Sequence, residues 1–200
     1  MSTAERKAKE KEELKALILN TAMKLFIEDG IERTTIRSIA DKINYSVGTV
    51  YVYYKDKNEI LYAINNLGFQ QLKEKMSLSL SIEDPLERLK SMLSGYIQFA
   101  LDNKELYDLM FIMNAPMLYL EGNGHKEWCE GKGAYGVIKN TVDACLKAGH
   151  FKNQSLDFLT LNLWALVHGL SSLCIRKRLN AIDYPDSIIT ETINDFYKIM

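Results

Sequence analysis

The feature that most constrains this chain is the spacing of its apolar residues, which recur at threes and fours and nowhere sustain a period of two. Leu14, Leu17, Ile18, Ala22, Leu25 and Phe26 open the series as an amphipathic helix, and "EDG" ends it with Gly30 placed for a left-handed C-cap. Thr34 or Thr35 then caps a helix of about two turns, with Ile36, Ile39, Ala40 and Ile43 on one face. Asn44 follows it. Asparagine enters the left-handed region more readily than other side-chain-bearing residues, so it can turn the chain sharply before Ser46, a good N-cap.

The stretch "NYSVGTVYVYY", Asn44 to Tyr54, looks superficially like a strand. Val47, Val50, Tyr51 and Tyr54 nevertheless fall at i, i+3, i+4 and i+7, which favours a short helix. Val50 and Tyr54 are assigned to the core, and Val47, Tyr51 and Tyr53 to the outside. Asp56 and Glu59 form a capping box before Ile60, Leu61, Ile64, Leu67, Leu72 and Met76, the stripe of a long fourth helix.

The remainder repeats the pattern. Pro85 behind Asp84 starts a helix with Leu86, Leu89, Leu93, Tyr96, Ile97, Ala100 and Leu101 on one stripe, and a shorter one runs from Glu105 to about Ala115, before Pro116. Met117 to Gly133, with four glycines, reads as an irregular link. A helix follows from about Ala134 to Ala148, closed by Gly149. "SLDFLTLNLWALVHGLSSLCIRKR" is apolar nearly all round and basic at its end (Arg176, Lys177, Arg178). A last helix runs from Pro185, with Ile189, Ile193, Phe196, Tyr197 and Met200 on one face. The prediction is all-α, about nine helices, divided into residues 1–60 and 61–200.

Two short helices joined by a few residues and braced by longer ones follow the plan of a helix-turn-helix DNA reader. From Arg33 to Lys57 the chain holds five basic residues against two acidic ones, although its overall net charge is −1. Val47, Gly48, Thr49 and Tyr51 are expected to face bases, Gly48 by allowing close approach of the backbone. Thr35, Ser46, Tyr53, Lys55 and Lys57 are expected on phosphates, with Arg37 in the same basic group.

"TTIRSIADKINYSVGTVYVYYKDKNEIL" resembles the signature of the TetR family of bacterial transcriptional repressors over about the first 65 residues. Thr34, Thr35, Ile39, Ala40, Ser46, Gly48, Thr49, Tyr51, Tyr53, Lys57 and Leu61 stand at the family's offsets, while Asn44, Tyr45 and Tyr54 replace its glycine, valine and phenylalanine. Tyr45 offers an added DNA or domain contact. "NKELYDLMF" and "WALVHGL" resemble the C-terminal regulatory domain called WHG, with Trp164, His168 and Gly169 carrying the motif.

The resemblance implies a homodimer on a palindromic operator, released when a small-molecule effector enters the C-terminal helical domain. Two copies reading successive major grooves about 34 Å apart would gain affinity and specificity. The surplus apolar faces at Leu156 to Ile175 and Ile189 to Met200 suit the dimer contact. Tyr96, Phe99, Met110, Phe111, Met113, Trp128, Tyr135, Trp164 and His168 are the candidate ligand-pocket residues, joined by Met117 and Tyr119. His168 is expected to be satisfied by a backbone carbonyl rather than by a ligand.

No enzyme motif is present: no G-x-S-x-G, no H-E-x-x-H and no phosphate-binding glycine loop. His125, Cys129 and Glu130 cluster without a second ligand pair, so no metal and no cofactor are expected. Cys129, Cys145 and Cys174 read as buried, reduced thiols. No signal peptide is apparent, and no run of about 18 uninterrupted apolar residues suggests a membrane span. A cytoplasmic location is expected. The charged arm from Met1 to Glu13 is expected to be a frayed, solvated end.

Overall fold

The computed structural model describes residues 2–111, 128–185 and 187–198. Among them are ten α-helices and no strand: α1 Thr3–Glu28, α2 Ile36–Lys42, α3 Val47–Tyr51, α4 Lys57–Ser77, α5 Pro85–Asp102, α6 Lys104–Phe111, α7 Cys129–Lys147, α8 Leu156–Ile175, α9 Arg178–Ala181 and α10 Ile188–Asp195. Single 3-10 turns follow α4 (Leu78–Ser81) and α10 (Phe196–Lys198).

The chain forms two compact units. The first comprises residues 1–67 and 108–127, and the second residues 68–107 and 128–200. In the first, α1 packs on α2 and α2 on α3. Ile18, Ala22, Leu25 and Phe26 of α1 join Ile36, Ile39, Ala40, Val50, Ile60, Leu61 and Ile64 in its core. Leu17 is 42% exposed, so the buried stripe of α1 is narrower than its apolar residues suggest. In the second unit α5, α7 and α8 pack on one another, and α10 lies against α5.

The helix ends are built from local side-chain chemistry. Thr35 Oγ1 caps α2 by accepting from the Ser38 amide at 3.0 Å. Thr34 turns the other way: it is buried, and its hydroxyl reaches the carbonyls of Leu25 and Gly30 at 3.1 and 2.9 Å, tying α2 to the end of α1. Asn44 ends α2 with φ 58°, while the amides of Asn44 and Tyr45 bond the carbonyls of Asp41 and Ala40 at 3.2 and 3.0 Å. That is the Schellman pattern, with asparagine in the place usually taken by glycine. Gly149, at φ 87°, closes α7 in the same way through Leu146 and Cys145. Asp84 and Ser155 cap α5 and α8.

Several expectations need correction. Cys129 to Gly133 belong to α7 rather than to an irregular link; Gly131 lies under the Trp128 indole, which an added Cβ would strike. Glycine there signals close packing, and the sequence pattern mimics a loop. The basic end of α8 continues through Lys177, at φ 54°, into the additional one-turn helix α9. The last helix begins at Ile188, and Tyr197 points outward at 39% exposure, with Lys90 Nζ 4.8 Å from its ring centre. All three cysteines are free, but only Cys145 is buried; Cys129 is exposed and Cys174 intermediate. The Cys145 thiol donates to the Pro85 carbonyl, and burial pushes its pKa up to about 11. The arm is helical from Thr3 onward, with Ser2 and Glu5 forming a reciprocal capping box. Residues 112–127, among them Met113, Ala115, Pro116, Met117, Tyr119 and His125, lie outside the described residues, as does Met200.

The left-handed turn gives a direct test. Asn44→Gly keeps the fold, because glycine adopts φ 58° without strain, whereas Asn44→Val loses about 1–2 kcal/mol of stability by placing a branched side chain in that region. Chemical denaturation of the two variants reads the difference.

Candidate nucleic-acid interface and regulatory core

The turn at Asn44 and the cap at Ser46 set α3 on the surface of the first unit. Ser46 Oγ accepts from the Thr49 amide at 3.0 Å and pairs with the Thr49 hydroxyl at 2.8 Å. Val50, fully buried, is the anchor of this five-residue helix, and Tyr54 follows it inward at 8% exposure. Burial, reinforced by Glu12 and Glu59, pushes the Tyr54 phenol up to about 12, so it stays protonated. The opposite surface carries Tyr51, 54% exposed, exposed Gly48, and half-exposed Val47, Thr49 and Tyr53. Val52 at 76% and Tyr45 at 45% extend this apolar and aromatic surface beyond the residues assigned to it from sequence.

Gly48 is informative because the fold does not require it. An added Cβ would meet only Ser46 Oγ, at an ordinary 3.6 Å. Alanine would be the better helix former at this position. The missing side chain therefore leaves open surface rather than relieving an internal clash.

The polar residues divide. Thr35 and Ser46 are exposed N-caps whose oxygens already accept a backbone amide; the Thr35 hydroxyl proton is left for another partner, while Ser46 and Thr49 share one proton between their hydroxyls. Arg37 and Lys55 are exposed. Lys57 is half-buried and donates to the Ile31 carbonyl at 2.7 Å. It thereby ties the start of α4 to the loop after α1, with two ammonium protons left over. Glu59 completes the α4 cap by accepting from the amide of Lys55 at 2.6 Å, one residue ahead of the expected partner, while Asp56 caps the Glu59 amide at 2.8 Å.

In the second unit, part of the expected pocket set comes together as a buried polar chain. Tyr96 on α5 and Tyr107 on α6 are 1% and 0% exposed; their hydroxyls lie 3.2 Å apart, and the Tyr107 hydroxyl is 2.6 Å from Nδ1 of His168 on α8. The Trp164 side chain hydrogen-bonds Tyr96 and meets Tyr135 edge to face at 5.6 Å. An indole N–H can only donate. Either partner can donate in the Tyr96–Tyr107 pair, and the roles at Nδ1 follow the His168 tautomer. Burial and the charge of Arg176 lower the His168 pKa, which favours the neutral ring. Burial also holds the Tyr96 phenol well above its ordinary value.

Among the described residues, Nδ1 of His168 meets a phenol, where a backbone carbonyl was expected. Tyr107 was not among the candidate pocket residues, although it lies in "NKELYDLMF". Its only sequence signal is a tyrosine on the apolar face of a short helix. The remaining candidates have other neighbours. Trp128 packs edge to face on Phe69 at 5.0 Å, its indole N–H without a partner among the described residues, and Phe99 borders a surface crevice beside Leu78. Met110 and Phe111 fall in the first unit, where the Met110 carbonyl accepts from the buried Asn65 side chain at 3.2 Å. Among the described residues no group of three acidic, histidine or cysteine side chains could hold a metal.

Comparison with known proteins agrees with this construction. Residues 18–64 match the family model for bacterial regulatory proteins of the tetR family, and residues 89–196, a span that includes Trp164, His168 and Gly169, match the model for the tetracyclin repressor-like C-terminal domain. An HTH-type transcriptional regulator of Staphylococcus aureus is 25% identical over 126 residues, which are 60% of this chain and 65% of that protein. A protein of unknown function from Rhodococcus sp. RHA1 shares the fold at a TM-score of 0.76 and 20% identity, covering 94% of this chain and 95% of that one. A tetR-family regulatory protein from Rhodococcus RHA1 does so at 0.62 and 22%, covering 79% and 83%. The chain is a helix-turn-helix transcriptional regulator, and it belongs to the TetR family, whose members are regulators rather than enzymes.

The His168 arrangement predicts a pH dependence. Its folded pKa lies below the ordinary value near 6.5, so the unfolded chain binds the proton more readily. The contribution to stability is complete above about pH 6.5 and declines as pH falls through that value toward the lower folded pKa. Denaturant titrations at pH 7.5 and 5.5 should show this loss, and His168→Gln should reduce it.

Proposed function

We propose that this regulator is a repressor that binds a palindromic operator as a homodimer and releases it when a small molecule binds the helical regulatory part. In this division residues 1–60 read DNA and residues 61–200 regulate and dimerise. The location is the bacterial cytoplasm, where the operator is.

The observation that carries the DNA reading is the surface around Gly48. Here an exposed position that the fold leaves open to alanine stands on α3 with half-exposed Val47 and Thr49 and exposed Tyr51, in a unit that also exposes Arg37 and Lys55. Val47, Thr49 and Tyr51 present methyl, hydroxyl and ring edges to bases, and Gly48 permits close approach. Thr35, Ser46, Tyr53, Arg37, Lys55 and the remaining protons of Lys57 serve phosphates. With no arginine on α3, discrimination comes mainly from van der Waals fit and shape.

Dimerisation is supported by α8. This helix is long and apolar enough to cross a membrane by length and composition alone, yet its apolar residues are shared between two environments. Leu159, Leu163 and Val167 are buried, while Phe158, Leu161 and Leu173 are 51%, 56% and 41% exposed. A second copy covering the exposed side fits a two-fold interface better than open water does. The effector reading is supported by the Tyr96, Tyr107, Trp164 and His168 chain: it joins α5, α6 and α8 by directional bonds that a ligand with polar groups could exchange. To release DNA effectively, the effector must favour the released state by several kcal/mol.

Selection of bound duplexes from random DNA should enrich a palindrome; absence of enrichment would contradict the reading. Gly48→Ala should keep or raise stability, by about 0.5–1 kcal/mol, while weakening the selected duplex. Equal DNA affinity for Gly48→Ala and the unaltered chain would remove glycine's proposed role. Leu161→Glu should shift the molecule toward monomer in sedimentation equilibrium, with operator affinity falling in parallel.

A further inference from the structure

The arm from Thr3 to Lys15 is helical, capped by Ser2 and Glu5, and exposed along nearly its whole length. Burial in α1 begins only at Ile18. The arm is polar on every side, with Ala4, Ala8 and the half-buried Leu14 as its only apolar residues, so it has no stripe with which to bury against protein.

Its five basic and four acidic residues are not scattered evenly. Arg6 pairs with Glu10 at 3.5 Å, Lys9 with Glu13 at 3.8 Å, and Lys15 with Glu12 at 3.1 Å. Lys7 and Lys11 have no ion pair among the described residues. At about 100° per residue, both lie within roughly 20° of the direction of Ile18. The nearest acid to that line, Glu10, is about 80° away and already paired. A lysine edge therefore continues the line along which α1 packs into its domain.

The root of the arm comes near the segment that follows α3. Glu12 is near enough to Tyr54 to raise its phenol pKa, and Tyr54 sits between Tyr53 and Lys55. From Glu12 to Thr3 the helix extends roughly 14 Å, at about 1.5 Å per residue.

We propose that this helical arm is a second DNA-binding element, with Lys7 and Lys11 holding phosphates of the duplex flanking the sequence read by α3. The proposal rests on the DNA-binding reading above and adds to it a flank contact that carries no base specificity. Charge complementarity selects the occupant. The lysine edge suits a polyanion, its lack of apolar residues does not suit a protein partner, and the root of the arm lies near the segment that carries the proposed phosphate contacts Tyr53 and Lys55.

The probe is the duplex selected from random DNA, prepared both trimmed to its enriched core and with six added base pairs on each side. The unaltered chain should bind the longer duplex several-fold more tightly. Lys7→Gln with Lys11→Gln should lose roughly tenfold on the longer duplex, abolish the length dependence, and lower the salt slope by about two to four per dimer. Arg6→Gln with Lys9→Gln, which removes paired charges, should do neither. Circular dichroism and thermal unfolding should show both double variants folded like the parent. Wild-type affinity and slope for the Lys7, Lys11 variant would overturn the arm contact while leaving the α3 reading intact. Failure to enrich any duplex would overturn both.

Discussion

The reading surface depends on a single backbone inversion. Helix α3 has five residues, far fewer than the roughly 12–15 needed for an isolated helix to persist in water. It exists because Asn44 turns the chain through the left-handed region, Ser46 satisfies the first amides, and Val50 anchors the turn in the core. Thr34 and Lys57 brace the same structure from either side, through carbonyls at the end of α1 and in the loop after it. These attachments use backbone acceptors and buried methyls. They leave the outward side of α3 free of structural duty, and Gly48 shows that freedom most clearly.

The second unit solves a different problem. Its core contains two fully buried tyrosines, and an unpaired buried hydroxyl is costly. The two hydroxyls pair with each other, and the series ends on Trp164 at the Tyr96 side and on His168 at the Tyr107 side. Three helices are held in register by bonds that have direction, unlike the apolar packing around them. Such a chain can rearrange only as a unit, which suits a part of the molecule whose proposed work is to change state.

The helices and their ends were largely legible in the sequence because both depend on neighbours within a few residues. Apolar residues at threes and fours located α1, α2, α4, α5 and α8, and Gly30, Asn44, Asp84 and Gly149 located turns and caps. The inward Val50 and Tyr54 and outward Tyr51 followed from the same periodicity. The start of α7 was not legible. Glycine near Trp128 has the composition of a loop, and only the packed indole explains Gly131 in a helix. Tyr107 was overlooked because its partner stands 61 residues away.

The sequence by itself determined an all-helical chain, the turn that creates the helix-turn-helix, and a signature sufficient for the family. Those properties arise from local spacing, backbone preference and residue type. Tertiary structure decided which threonine caps and which braces, that Lys57 spends one proton on Ile31, and that His168 meets a phenol. It also decided that Lys7 and Lys11 have no ion pair among the described residues while the other basic residues of the arm do. Each is a choice among partners that the sequence leaves equally available, and only folding brings one within hydrogen-bonding distance while carrying the others away.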